Sequence, residues 1–111
     1  MTKLRNLLEL PKSSGTKELT EILAEGQIKI ERIISTGQIT PVDEWYDQDK
    51  DEWVLLVEGE AKLTFEDSGE ITLKKGDYIL IKAHERHSVT YTSTHPPCIW
   101  LAIHGKINLT S

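Results

Sequence analysis

One cysteine, Cys98, occurs among 111 residues. A lone thiol cannot staple a monomer, so a disulfide framework is excluded. Cys98 lies in an apolar run over 96–103 and reads as a buried, inert thiol. A nucleophile would need a neighbour that lowers its pKa. Long apolar runs are missing too: none approaches the ~18 residues of a membrane span. The first eight residues carry no extended apolar stretch, so no signal peptide is expected. These absences point to a soluble, cytoplasmic protein with no membrane partner. Basic stretches are also scarce. The net charge is -5, and Lys3 with Arg5 and Lys74 with Lys75 are the densest basic groups. Nucleic-acid binders carry a basic patch or stripe, so a nucleic-acid partner is not expected.

The length fits one domain, and a chain of this size buries roughly two-thirds of its unfolded surface. Two segments differ in pattern. In residues 1–26, Leu4, Leu7, Leu8 and Leu10 form a short apolar stretch ending at Pro11. Leu19, Ile22 and Leu23 then fall on one helical face. Thr16 can cap a helix over 17–25, Glu18 and Glu21 suit its positive end, and Gly26 suits its stop. This predicts one short N-terminal helix.

From residue 27 to 111 the period becomes two. Residues 28–34 alternate and then slip, as at a bulge. Further strands are predicted over 53–57, 61–65, 70–74, 78–81, 88–92 and 99–104, with turns at Asp67-Ser68-Gly69 and Lys75-Gly76-Asp77. Short strands at regular spacing with turn signals indicate an all-β sandwich or barrel. The strands over 53–57 and 99–103 are apolar at both parities, whereas a half-exposed strand would alternate. Each therefore needs a cover on its outer face: the N-terminal segment, a second sheet or a second subunit. A homodimer is expected, with Leu4–Leu10 as a segment that could cross to the partner.

The spacing of particular residues adds a resemblance. Glu52 is followed after six residues by Gly59; Gly76 is followed by Asp77, an apolar strand and His87. This resembles the two motifs of the cupin family, over about residues 27–104. The resemblance implies an antiparallel jelly-roll barrel. The family's usual ligand set is three histidines and one glutamate, of which Glu52 and His87 match. The first motif's histidine pair is absent: its slots hold Tyr46 and Gln48, or Trp45 and Asp47. In the second motif Lys82, His84 and Tyr91 stand at the proline, glycine and asparagine positions. The stretch Trp45-Tyr46-Asp47-Gln48 with Asp51-Glu52-Trp53-Val54 is similar to that of small single-domain cupins lacking the pair. No activity comes across with that similarity.

Candidate site residues follow. Glu52 and His87 are expected to face one cavity, joined by His84 or His104, with Gln48 or Asp47 as further oxygen donors. Two histidines and a carboxylate can hold iron, and zinc accepts the same donors; nickel and copper are further options for a divalent ion. Tyr46, Tyr91 and Trp100 either line a pocket or fill the core. His95, before Pro96-Pro97, reads as a loop residue. Three functions stay open. The first, and favoured, is a metal-binding cupin of unassigned activity. The second is a metal-free module binding a small molecule at the barrel mouth. The third is a metal-free isomerase or epimerase with His87 as base and Tyr91 or Tyr46 as partner. No catalytic residue is assigned.

Overall fold

The computed structural model describes residues 2–12, 17–108 and 110. Eight strands follow in order: β1 (Leu19–Glu25), β2 (Lys29–Ser35), β3 (Asp51–Glu58), β4 (Glu60–Phe65), β5 (Gly69–Lys74), β6 (Tyr78–Ile81), β7 (His87–Thr92) and β8 (Cys98–Gly105). They form a five-stranded sheet, β1-β2-β8-β3-β6, and a three-stranded sheet, β5-β4-β7, with antiparallel pairing throughout. The core lies between the sheets. Val54, Leu56, Trp100 and Ala102 from the larger sheet meet Ala61, Leu63, Phe65 and Leu73 from the smaller. These are alternate residues of their strands, the geometry a period of two imposes.

The predicted helix over 17–25 is not there: residues 19–25 form β1. The same residues satisfy both periods. Leu19, Glu21 and Leu23 are half-buried while Thr20, Ile22 and Ala24 are exposed, an alternation of two. A nine-residue helix is marginal alone, whereas β2 offers an edge whose N–H and C=O groups need partners. Pairing with β2 satisfies them, and a bulge between Ile22 and Ala24 absorbs the sequence's mixed pattern. Thr16, the expected cap, lies outside the described residues. Gly26 closes the β1–β2 turn instead, its N–H donating to Ile28 O.

The slip at Ile33-Ile34 has a different cause from the bulge expected there. β2 pairs with β8 in unbroken register from Lys29 to Ser35. Both isoleucines are apolar because both faces are covered. Ile33 lines the interior cavity. Ile34 shares the outer face with Arg32, which donates to the carbonyls of Leu7 and Glu9 and pairs with Glu21 at 2.7 Å. The N-terminal segment is thus tied to the outside of its own barrel, while Leu4, Leu8 and Leu10 stay exposed.

A second bulge, at Thr90, decides where Tyr91 goes. Leu63 pairs with Val89 and Lys62 with Tyr91, so Thr90 is the extra residue. Unbroken alternation would place Tyr91 on the face of His87 and Val89. The bulge turns it outward, opposite the outward-facing Lys62, and it is 43% exposed.

Candidate functional site

The two sheets enclose a cavity of about 220 Å³. Cross-strand register builds its polar end. On β3 the inward row runs Glu52, Val54, Leu56; on β8 it runs Trp100, Ala102, His104. Glu52 stands directly opposite His104, and direct neighbours are close enough to interact. On β2, Glu31 faces inward and lies opposite Ala102, diagonal to His104. His87 opens β7 on the other sheet. Four ionisable side chains thereby meet at one end of the barrel.

Their contacts differ. His104 Nε2 is 2.7 Å from Glu31 Oε1, the hydrogen bond of an imidazole N–H to a carboxylate. Glu52 lies between the two imidazoles: His87 Nε2 is 4.0 Å from its Oε1, and His104 Nε2 is 4.0 Å from its Oε2. Neither contact is short enough for a hydrogen bond. Glu52 is only 8% exposed. Burial raises its pKa, partly offset by the neighbouring His104 and His87, with Glu31 pushing it up further.

His87 is held firmly. Its Nδ1 lies 3.0 Å from Glu85 O, so Nδ1 carries the hydrogen in the neutral ring and Nε2 presents its lone pair towards Glu52. Tyr46 and His87 exchange backbone hydrogen bonds of 2.7 and 3.2 Å, and their rings stack with centroids 5.5 Å apart. Phe65 packs against the same imidazole at 5.9 Å. The Tyr46 hydroxyl keeps its proton: burial raises its pKa, and the carboxylate of Glu18 adds to the effect.

The other sequence candidates fall in separate places. Gln48 and Trp100 line the cavity with Tyr46. Trp100 Nε1 donates to Ser35 Oγ, which in turn donates to Glu18. Asp47 and His84 sit outside, joined by a 2.8 Å contact from His84 Nδ1 to Asp47 Oδ1, both largely exposed. They line an open depression beyond Gln48. His84 has φ +65°, the left-handed conformation for which the motif's glycine is suited. Tyr91 lies on the outer face. His95 is in the loop before β8. Sequence reading missed Glu31 and Glu18. Glu31 was visible only as a charge within a run of isoleucines. Glu18 was assigned to the helix that does not form.

Asp51, next to Glu52, points the other way and anchors the rim. It accepts from the N–H groups of Ala83 and Ile107 and from Lys82 Nζ. The Ile107 and Ala83 hydrogen bonds, with Lys82, hold its pKa down at about 2.

A divalent ion would need three protein ligands in a catalytic site. His87 Nε2 and Glu52 have free donor atoms. His104 Nε2 is taken up by Glu31. Among the described residues no three His, Cys, Asp or Glu side chains are grouped to hold an ion. The donors as arranged do not fit a metal centre.

The antiparallel two-sheet barrel is the architecture of the cupin class. The cupin-domain family model matches residues 31–104, and the chain belongs to that family. No curated protein matches it. Among solved structures, it is similar to a Ralstonia eutropha JMP134 protein provisionally designated a mannose-6-phosphate isomerase. Identity is 38% over 96% of this chain and 100% of that one, with TM-score 0.88. A cupin superfamily protein of Desulfitobacterium hafniense DCB-2 is 21% identical, with TM-score 0.71 over 87% and 84% of the two chains. A cupin of Methanocaldococcus jannaschii with a double-stranded β-helix fold is 14% identical, with TM-score 0.68 over 95% and 94%. The latter two speak for the fold alone.

Proposed function

We propose that this cupin is a small-molecule isomerase that works by proton transfer inside the barrel. The observation that carries this is the Glu52–His87 pair, an imidazole lone pair fixed by a backbone carbonyl and facing a buried carboxyl across 4.0 Å. A base and an acid placed on either side of one small cavity are what such chemistry requires. The Ralstonia protein supports the reaction class. In an aldose–ketose exchange, His87 Nε2 takes the proton from the carbon beside the carbonyl. The C–H electron pair forms the carbon–carbon double bond of an enediol. The carbonyl oxygen takes a proton from the Glu52 carboxyl. Return of the proton from His87 to the former carbonyl carbon, with loss to Glu52 of the proton of the original hydroxyl on the neighbouring carbon, which becomes the new carbonyl, gives the isomer.

The test is exchange of the carbon-bound proton of mannose, mannosamine and mannose 6-phosphate in D2O, followed by NMR. Exchange by the wild type, reduced about a hundredfold or more in His87→Ala and in Glu52→Gln, is expected. No exchange, or equal exchange by all three proteins, overturns the reading. Elemental analysis of the same proteins addresses zinc, iron, nickel and copper. A stoichiometric ion in the wild type that both variants lose would replace the metal-free reading with a metal-binding one.

A further inference from the structure

The cavity has an unequal charge. Its second polar end lies around Glu18, Ser35 and Trp100. Glu31 and Ser35 are four residues apart on β2, as are His104 and Trp100 on β8, so the two ends are separated by about 13 Å. Glu31 and Glu52 stand at the first end and Glu18 at the second. No lysine or arginine is among the described residues lining the space. Lys29 reaches Glu31 at 3.7 Å but does not line the cavity. Arg32, on the same strand, points outward to Glu21 and the N-terminal carbonyls. A phosphate ester is normally bound by such cations or by backbone N–H groups at a helix start, and no helix occurs among the described residues. A second feature calls for a ligand: the Glu52 carboxyl group, nine-tenths buried, has no hydrogen-bond partner among the described residues and faces the cavity.

We infer that the cavity selects a small cationic ligand, an amine-bearing polyhydroxy compound such as an amino sugar, and rejects phosphate esters. The ammonium group is drawn by the Glu18 and Glu31 carboxylates, and the Glu52 carboxyl can accept a hydrogen bond from it. A phosphate dianion meets the same carboxylates as like charge. The space is below the roughly 300 Å³ usual for drug-sized ligands, so the ligand is small. This rests on the proposed reading only in taking the cavity as the ligand site, and it is tested by binding, without turnover.

The experiment is titration calorimetry of the whole chain with mannosamine, mannose and mannose 6-phosphate at low salt. Mannosamine should bind at least about tenfold more tightly than mannose 6-phosphate. Glu18→Gln should shrink that ratio, and raised salt should weaken it. Thr20→Lys, at an exposed position on the cavity wall, should move the preference towards the phosphate. Equal or tighter binding of mannose 6-phosphate by the wild type overturns the inference, as does binding of none of the three at about 10 mM. His87→Ala should keep the charge preference while losing proton exchange. That separates failure of the charge argument from failure of the proton-transfer reading.

Discussion

Glu52→Gln should make the protein more stable and less active. The Glu52 carboxylate is almost wholly buried, and two imidazole nitrogens stand 4.0 Å from its oxygens. Opposite unit charges at that distance attract by about 4 kcal/mol at an effective dielectric of 20, but only when the imidazole is charged. A neutral imidazole leaves the buried charge with little to offset its lost hydration. The glutamine has nearly the same shape and no charge, and its gain is about 1 kcal/mol under mildly alkaline conditions. For a domain of this size that is about 4 °C in melting temperature. The pH sign follows from linkage. Burial raises the folded-state pKa above the unfolded value. Between those values the folded chain binds more protons, so the wild type loses stability as pH rises through the folded pKa. The gap between variant and wild type should therefore open towards about pH 8 and close in acid, below the ordinary glutamate range. Asp51 is common to both proteins and behaves oppositely. Its pKa is lowered to about 2, so its contribution is lost as pH falls from the usual aspartate range towards that value, and both melting curves should decline together there. Melting followed by circular dichroism across a pH series tests this. A variant less stable than wild type in mild alkali, or a gap that does not change with pH, would refute the reasoning.

Gly59→Ala should destabilise by about 2 kcal/mol or more. Gly59 has φ +95°, and an added Cβ would lie 2.8 Å from Cys98 Cα and 2.9 Å from both Cys98 Sγ and Pro97 O; denaturant titration measures the loss, and an unchanged midpoint would contradict it. A homodimer is expected through the outer face of the five-stranded sheet, where register aligns Ile103, Trp53 and Leu80 in one row and Leu101, Leu55 and Tyr78 in the next. Light scattering should report twice 12.6 kDa for the wild type and a smaller mass for Leu55→Glu, and a wild-type monomer at micromolar concentration would reject the dimer.

The barrel was legible because turns and alternation agree over residues 27–104, and the intervals around Glu52 and His87 match a known pattern. What was illegible shares a physical origin. Residues 19–25 satisfy a helical and an extended period equally, and the unpaired edge of β2 decides between them. The bulge at Thr90 reverses the facing of Tyr91 without any glycine or proline to announce it. His84 stands three residues before His87, yet its left-handed backbone carries it out to Asp47. Glu31 could not be assigned a face because Ile33 and Ile34 make both parities of β2 apolar. Its role follows only from strand pairing, which sets it diagonal to His104.

The placing of Glu52 argues for chemistry over architecture. Its row on β3 continues with Val54 and Leu56, both buried in the core. A valine or leucine at position 52 would extend that row and remove a buried charge, a change that cores generally tolerate when volume is kept. Asp51 shows what a structural carboxylate looks like in this same strand: two backbone N–H donors, a lysine and a lowered pKa. Glu52 has none of these. Its oxygens open onto the cavity, its pKa is shifted upward, and an imidazole stands on either side. Adjacent carboxyl groups on one strand are thus split by the pleat into an anchor held by donors and a group that faces the cavity. Perturbed groups of the second kind concentrate at functional sites, and the stability Glu52 costs the fold is the reason its neutral variant should melt higher while losing the exchange reaction.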